Sequence, residues 1–152
     1  MNNNEIIEQL IKVKNKINLF DDLSDYQIRL LVKDIIFKKY KRNEIIFRQG
    51  EEKNQFIYFI LAGSIKVAVT DGFGVRKTIT TVTQGSIIGE LQAILENKRT
   101  ASCIAASEDN ILIGFTINTY NYKEHGNVYA IFYKNLSRIL ALKINDTNSK
   151  IK

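Results

Sequence analysis

Gly85-Ser86-Ile87-Ile88-Gly89-Glu90-Leu91-Gln92-Ala93-Ile94-Leu95-Glu96-Asn97-Lys98-Arg99-Thr100-Ala101-Ser102 is the stretch on which the reading of this chain turns. A strand ends at Gly89, and residues 90–96 are good helix formers with no β-branched side chain before Ile94. The pattern predicts one short helix inserted between strands, directly after Gly89. The free amides at a helix N-terminus carry partial positive charge that favours a bound anion. Gly89 lacks a Cβ, so a ligand can approach its backbone closely. Arg99 returns to the same place with a guanidinium suited to a charge-assisted phosphate contact, and Thr100 adds a hydroxyl donor. Glu90 repels a phosphate at close range; its useful role is to accept hydrogen bonds from a sugar hydroxyl beside it. Arginine, backbone amides and one glutamate together describe a ribose-phosphate. Taken alone, the residues are only suggestive of this, and a strand–helix–strand corner closed by a Glu90–Arg99 surface ion pair, worth about 0–1 kcal/mol, is the plainer reading.

Outward from this stretch, residues 38–117 read as strands. Ile65, Val67 and Val69 alternate with Lys66, Ala68 and Thr70, and further apolar or β-branched runs occupy 44–48, 55–61, 75–82, 100–106 and 110–116. Turn signals separate them, among them Ala62-Gly63-Ser64, Asp71-Gly72-Phe73-Gly74 and Gln84-Gly85-Ser86. Many short strands at near-regular spacing predict a β-sandwich or jelly roll, not a parallel α/β sheet. The chain before about Phe37 reads as helical. Ile6, Ile7, Leu10 and Ile11 recur at helix spacing, Ser24 and Gln27 form a capping box, and Ile28, Leu31, Val32, Ile35 and Ile36 share one face. Residues 118–146 read as helical again, with Val128, Phe132, Leu136, Ile139 and Leu140 among the apolar positions. More than one face of this helix is apolar. Either a second copy of the chain covers the extra face, or the helix sinks deeper into its own core.

The 152 residues suggest one domain. A single cysteine, Cys103, excludes an intramolecular disulfide, and among small neighbours it reads as a core residue. The N-terminus carries carboxylates where a secretory signal has basic residues, and no charge-free apolar run nears the ~18 residues of a membrane span. A soluble, cytoplasmic protein is expected. The formal charge of +6 attracts anions in general without choosing among them, and most lysines read as solvated surface. A lone histidine, His125, outside the strands reads as a surface or capping residue, which leaves no metal site and no metal-cupin chemistry. No Ser/His/Asp or Cys/His set exists for nucleophilic catalysis, so no catalytic residue is assigned and the chain is not read as an enzyme.

Ile88-Gly89-Glu90-Leu91-Gln92-Ala93-Ile94 and Arg99-Thr100-Ala101 resemble the phosphate-binding cassette of the cyclic-nucleotide-binding domain family, with the kinase-type spacing from Glu to Arg. Leu19-Phe20 with Leu23 and Gln27, Ile45-Ile46-Phe47-Arg48-Gln49-Gly50, and the run from Tyr58 to Val67 resemble other signatures of that family. The similarity covers the chain from Leu19 to about Ile144. It implies a fold that is mainly β with flanking helices: a double-stranded β-helix jelly roll with a short inserted phosphate-binding helix, N-terminal helices and a long C-terminal helix. It divides the chain into an N-terminal helical extension (1–18), the binding domain (19–146) and a tail (147–152).

The resemblance also implies a ligand, cyclic AMP or cyclic GMP, and no other cofactor. Gly89, Glu90, Leu91, Arg99, Thr100 and Ala101 form the implied site. Glu90 and the Gly89 amide hold the ribose hydroxyl, and Arg99 holds the phosphate with help from Thr100 and the Ala101 amide. Val69, Ile79 and Val82 are expected to wall the pocket. Two positions depart from the family pattern: Lys98 stands where proline is frequent, and Gln92 where a small residue is common. Thr100 permits cyclic GMP without requiring it. The implied role is a stand-alone sensor whose C-terminal helix (126–145) moves and signals to an unidentified protein effector, with a homodimer through that helix as a further expectation. Seven residues after the helix are too few for a DNA-recognition module, and no membrane partner is expected. The alternatives are a degenerate fold serving as a constitutive scaffold, or a fragment of a transcription regulator.

Overall fold

Ile57, Tyr58, Phe59 and Ile60 are all buried, so one strand covers its two faces with different partners. The computed structural model describes residues 1–52, 54–92, 97–118 and 123–151. In chain order the elements are α1 (Asn3–Lys12), α2 (Asp25–Leu31), β1 (Val32–Lys41), β2 (Ile45–Phe47), β3 (Ile57–Ala62), β4 (Ser64–Thr70), β5 (Arg76–Thr83), β6 (Ile87–Ile88), β7 (Ser102–Ala105), β8 (Asp109–Ile117) and α3 (Gly126–Ile151). The strands form two four-stranded sheets, β1-β8-β3-β6 and β2-β7-β4-β5, in which every paired strand is antiparallel. This is the expected jelly-roll architecture.

The period of a strand explains the two cores. Alternate residues of β3 point to opposite faces. Ile57 and Phe59 join Ile113, Phe115 and the helices in one apolar cluster. Tyr58 and Ile60 join Leu112, Ile65, Ile88 and Cys103 in a second cluster between the sheets. Each fully buried side chain of this kind contributes roughly 1.5–3 kcal/mol. Cys103 is therefore a core residue, as its small neighbours predicted. Among the described residues no helix is long and apolar enough to cross a membrane.

The helical zone ends earlier than its periodicity suggested. The capping box is formed as expected: the Gln27 amide donates to Ser24 Oγ at 3.2 Å, and the Ser24 amide to Gln27 Oε1 at 2.9 Å. But α2 stops at Leu31, and Val32, Ile35 and Ile36 belong to β1. The reason is a bulge. The register against β8 slips between Val32 and Ile35, so the buried positions fall three apart, which imitates a helix. A second register slip, between Val67 and Ala68 in the β4–β5 pairing, breaks the expected alternation of β4. Ala68 is buried there, at 1% exposure.

The C-terminal helix divides in character. Its first half carries Val128, Tyr129, Phe132 and Leu136 into the core. Asn135, itself buried, donates through Nδ2 to the carbonyls of Leu19 at 3.0 Å and Asp21 at 2.8 Å. From Ala141 to Asp146 every residue is exposed. The extra apolar face thus has two fates: the first half sinks into the protein's own core, while Leu142 and Ile144 are open to solvent.

Candidate functional site

Gly89 adopts φ +83°, in the left-handed region that glycine tolerates best. A Cβ there would lie 2.4 Å from Arg99 Nη1 and 2.9 Å from the Phe56 carbonyl oxygen. The expected close approach at Gly89 is therefore occupied by Arg99 and the start of β3. Leu91 and Gln92 are helical, as the inserted helix requires; residues 93–96 of that expectation lie outside the described residues. Gln92 is buried, and its Nε2 donates to the Asn97 carbonyl, tying the two ends of the insert together. Lys98 pairs with Glu52 at 3.4 Å, an exposed contact in place of the stiffness of proline.

The backbone of Arg99 is held on both sides. Its amide donates to the Glu51 carbonyl at 2.9 Å, and its carbonyl accepts from Gly50 at 2.7 Å. This docks the segment after the insert onto the turn that follows β2, and Gln49 reinforces it by donating to Ser102 Oγ at 2.8 Å. The side chain then runs inward, 3% exposed. Nη1 donates to the Gly89 carbonyl at 3.1 Å, and Nη2 to the Phe56 carbonyl at 2.7 Å and Asn54 Oδ1 at 2.9 Å. The guanidinium carbon lies 3.9 Å from the centre of the Phe47 ring, a cation–π contact. Nε is buried without a hydrogen-bond partner among the described residues. Every one of these acceptors is neutral. Desolvation pulls the Arg99 pKa below the ordinary guanidinium value, yet arginine stays charged at physiological pH.

Glu90 is also buried, at 5% exposure, and its carboxylate is bound by Lys143 of α3. The surface Glu90–Arg99 pair is thereby excluded: both residues are buried, and their hydrogen bonds go elsewhere. Glu90, Leu91, Arg99, Thr100 and Ala101 line one cavity of about 490 Å³ together with Gly89. That volume is typical of a small-molecule site. All six residues singled out from the sequence thus share one concave space.

The wall of the cavity differs from expectation at one position. Ile79 and Val82 line it, but Val67 stands in place of Val69. The bulge at Val67 resets which side chains of β4 face the cavity. Cys103 also lines the wall, and burial pushes its thiol up to about 12. Sequence reasoning missed Phe47, Lys143 and Asp146 as cavity residues. Lys143 and Asp146, three apart on a helix, share a face, but no local pattern connects them to a glutamate 53 residues upstream. Among the described residues no group of His, Cys, Asp and Glu could hold a metal ion. His125 immediately precedes α3, its carbonyl accepting from Val128 at 3.0 Å and Tyr129 at 3.4 Å.

The family model for the cyclic nucleotide-binding domain matches residues 37–113, just over half of the chain. The chain is 28% identical over 116 residues to cGMP-dependent protein kinase 2 of Homo sapiens, covering 75% of this chain and 15% of the kinase. It is 26% identical over 97 residues to the cyclic AMP receptor protein of Thermus thermophilus, covering 64% of this chain and 44% of the relative. The chain thus spans less than half the length of either relative. Among solved structures, a cyclic nucleotide-binding domain from Methylobacillus flagellatus superposes with a TM-score of 0.74 at 21% identity, covering 97% of this chain and 83% of that one. The regulatory domain of Toxoplasma gondii PKA, solved with cAMP, superposes with a TM-score of 0.69 at 17% identity, covering 94% and 51%. The chain belongs to the cyclic nucleotide-binding domain family.

Proposed function

We propose that this chain is a non-catalytic regulatory domain that binds cyclic AMP or cyclic GMP in the cavity between Gly89 and Ala101. The observation that carries the proposal is Arg99. A cation that is 3% exposed, bonded only to neutral acceptors among the described residues and left with a buried unpartnered Nε, is an incomplete ion pair. Glu51 and Glu90 act on Arg99 through space without bonding it; burying a charge without a directly bonded counter-ion is costly, and a phosphate on the cavity side of Arg99 supplies one. Thr100 and the Ala101 amide add donors to the same anion, and the Glu90 carboxylate accepts from a ribose hydroxyl. Val67, Ile79 and Val82 offer the apolar surface a base needs.

The signal leaves through α3, whose Lys143 and Asp146 line the cavity and whose Tyr133, Leu142 and Ile144 are exposed. Those apolar residues form the surface for a protein effector in the cytoplasm, or for a second copy of the chain, which light scattering detects as a homodimer. Thermal unfolding with cyclic AMP, cyclic GMP and cyclic dinucleotides tests the binding step. A ligand at 100 times its Kd adds about 2.7 kcal/mol, a rise in Tm of roughly 5–10 °C for a chain of this size. Arg99→Leu is expected to abolish that rise. No shift with any of these ligands at millimolar concentration contradicts the proposal and favours a constitutive scaffold.

A further inference from the structure

We infer that Gln49 is a positioning residue for the anion site: its side-chain amide takes the place of Thr100 in the sheet, which leaves Thr100 and Ala101 free to face the cavity. The inference rests on the reading of that cavity as a cyclic-nucleotide site. Its ground is a register. In the antiparallel pairing of β4 with β7, Ile65 stands opposite Ala105, Lys66 opposite Ile104, Val67 opposite Cys103 and Ala68 opposite Ser102. Continued to the end of β4, the same register sets Thr70 opposite Thr100. The Ala106 amide donates to the Ser64 carbonyl at 2.9 Å. Hydrogen-bonded pairs alternate with non-bonded ones in such a ladder, so they fall at Ser64, Lys66, Ala68 and next at Thr70. Yet β7 begins only at Ser102, and Thr100 and Ala101 line the cavity instead.

Gln49 supplies what the shortened strand withholds. The two residues of a hydrogen-bonded antiparallel pair exchange both N–H···O bonds. Thr70 makes this exchange with a side chain: its amide donates to Gln49 Oε1 at 2.7 Å, and Gln49 Nε2 donates to its carbonyl at 3.2 Å. A carboxamide can do so because it carries a donor and an acceptor side by side, as a peptide group does. The backbone of Gln49 is anchored at the same place, its amide donating to Oγ of Ser102, the first residue of β7, at 2.8 Å. The side chain therefore starts beside the end of β7 and extends the ladder past it. Without that carboxamide, Thr70 presents an N–H and a C=O to the segment in register with them. Pairing there turns the Thr100 backbone towards β4 and draws its hydroxyl and the Ala101 amide away from the anion. Gln49 closes off this alternative, so the arm after Arg99 is held open before the ligand arrives, which is preorganisation.

The test compares the full chain as wild type, Gln49→Met, Thr100→Ala and the double variant, each titrated with cyclic AMP and cyclic GMP, with amide hydrogen exchange followed at Thr100. Gln49→Met keeps the length of the side chain and removes both hydrogen bonds to Thr70. It is expected to weaken nucleotide binding about five- to tenfold. Gln49 and Thr100 are both exposed, so the melting temperatures of the free variants are expected to stay near wild type. In free Gln49→Met the Thr100 amide is expected to exchange more slowly than in wild type, because Thr100 enters the ladder; a general loss of stability speeds exchange instead. Thr100→Ala weakens binding in wild type and does so much less in the Gln49→Met background, since the hydroxyl has already left the site. Unchanged binding by Gln49→Met overturns the inference and leaves the nucleotide site standing. So does weaker binding with no slowing at Thr100, or with effects of the two substitutions that simply add. A wild-type chain that takes up neither nucleotide overturns the reading of the site and this inference with it.

Discussion

Gly89→Ala perturbs the fold and the site through one atom. At φ +83° an alanine accepts left-handed strain, about 1–2 kcal/mol for a residue with a Cβ. The new methyl would stand 2.4 Å from Arg99 Nη1 and 2.9 Å from the Phe56 carbonyl oxygen, and the second of these is backbone that cannot rotate away. The guanidinium must retreat, and its 3.1 Å bond to the Gly89 carbonyl breaks. A hydrogen bond from a charged donor is worth about 1.5–3 kcal/mol. Together these give a destabilisation of about 3–5 kcal/mol. For a chain of this length that lowers Tm by roughly 6–20 °C. Urea unfolding should show a lower midpoint with an unchanged slope, because the native and unfolded surfaces change little. Nucleotide affinity should fall in parallel, since Arg99 is displaced. A variant within about 1 kcal/mol of wild type, with affinity unchanged, would refute the placement of Arg99 against Gly89.

Alkaline pH is expected to unfold the protein through its second core. Burial pushes Cys103 from 9.0 up to about 12, and burial with the neighbouring Tyr58 pushes Tyr40 from 10.0 to about 12. Both groups hold their protons more tightly when folded. The stability they contribute is therefore complete below about pH 9 and is lost as pH rises towards 12. Denaturant midpoints measured from pH 8 to 11 should decline, and Cys103→Ser should flatten the first part of the decline; a level profile in wild type contradicts this. Asn110→Ala is expected to cost about 2–4 kcal/mol. The side chain is 1% exposed, accepts from the Ser64 amide at 3.0 Å, and donates to the carbonyls of Tyr40 at 3.1 Å and Ser107 at 2.8 Å. A loss below about 1 kcal/mol in urea unfolding would show that water replaces it.

What could be seen in the sequence was local, and what could not was geometric. The helical turn at Leu91–Gln92 and the Ser24–Gln27 cap are readable because each depends on neighbours within a few residues. The strand runs are readable because their period is two. The bulge in β1 is not, since Val32 and Ile35 copy helical spacing and only the pairing with β8 decides the matter. The slip at Val67 likewise hides which β4 side chains face the cavity. Glu90 and Arg99 could be proposed as site residues from their chemistry, but their real partners were invisible. Arg99 turned to the carbonyls of Gly89 and Phe56, and Glu90 to a lysine on the last helix. Those contacts join segments far apart in the chain, and no spacing rule reaches that far.

The most direct measurement follows the Arg99 Nε–H group by NMR while cyclic AMP or cyclic GMP is added. This donor is buried, belongs to a cavity-lining side chain and has no partner among the described residues. If Arg99 receives the phosphate, its resonance moves downfield as a new charge-assisted hydrogen bond forms, and the change saturates at one nucleotide per chain. A resonance that stays in place while either nucleotide saturates the protein, or an absence of binding by both, would contradict the account.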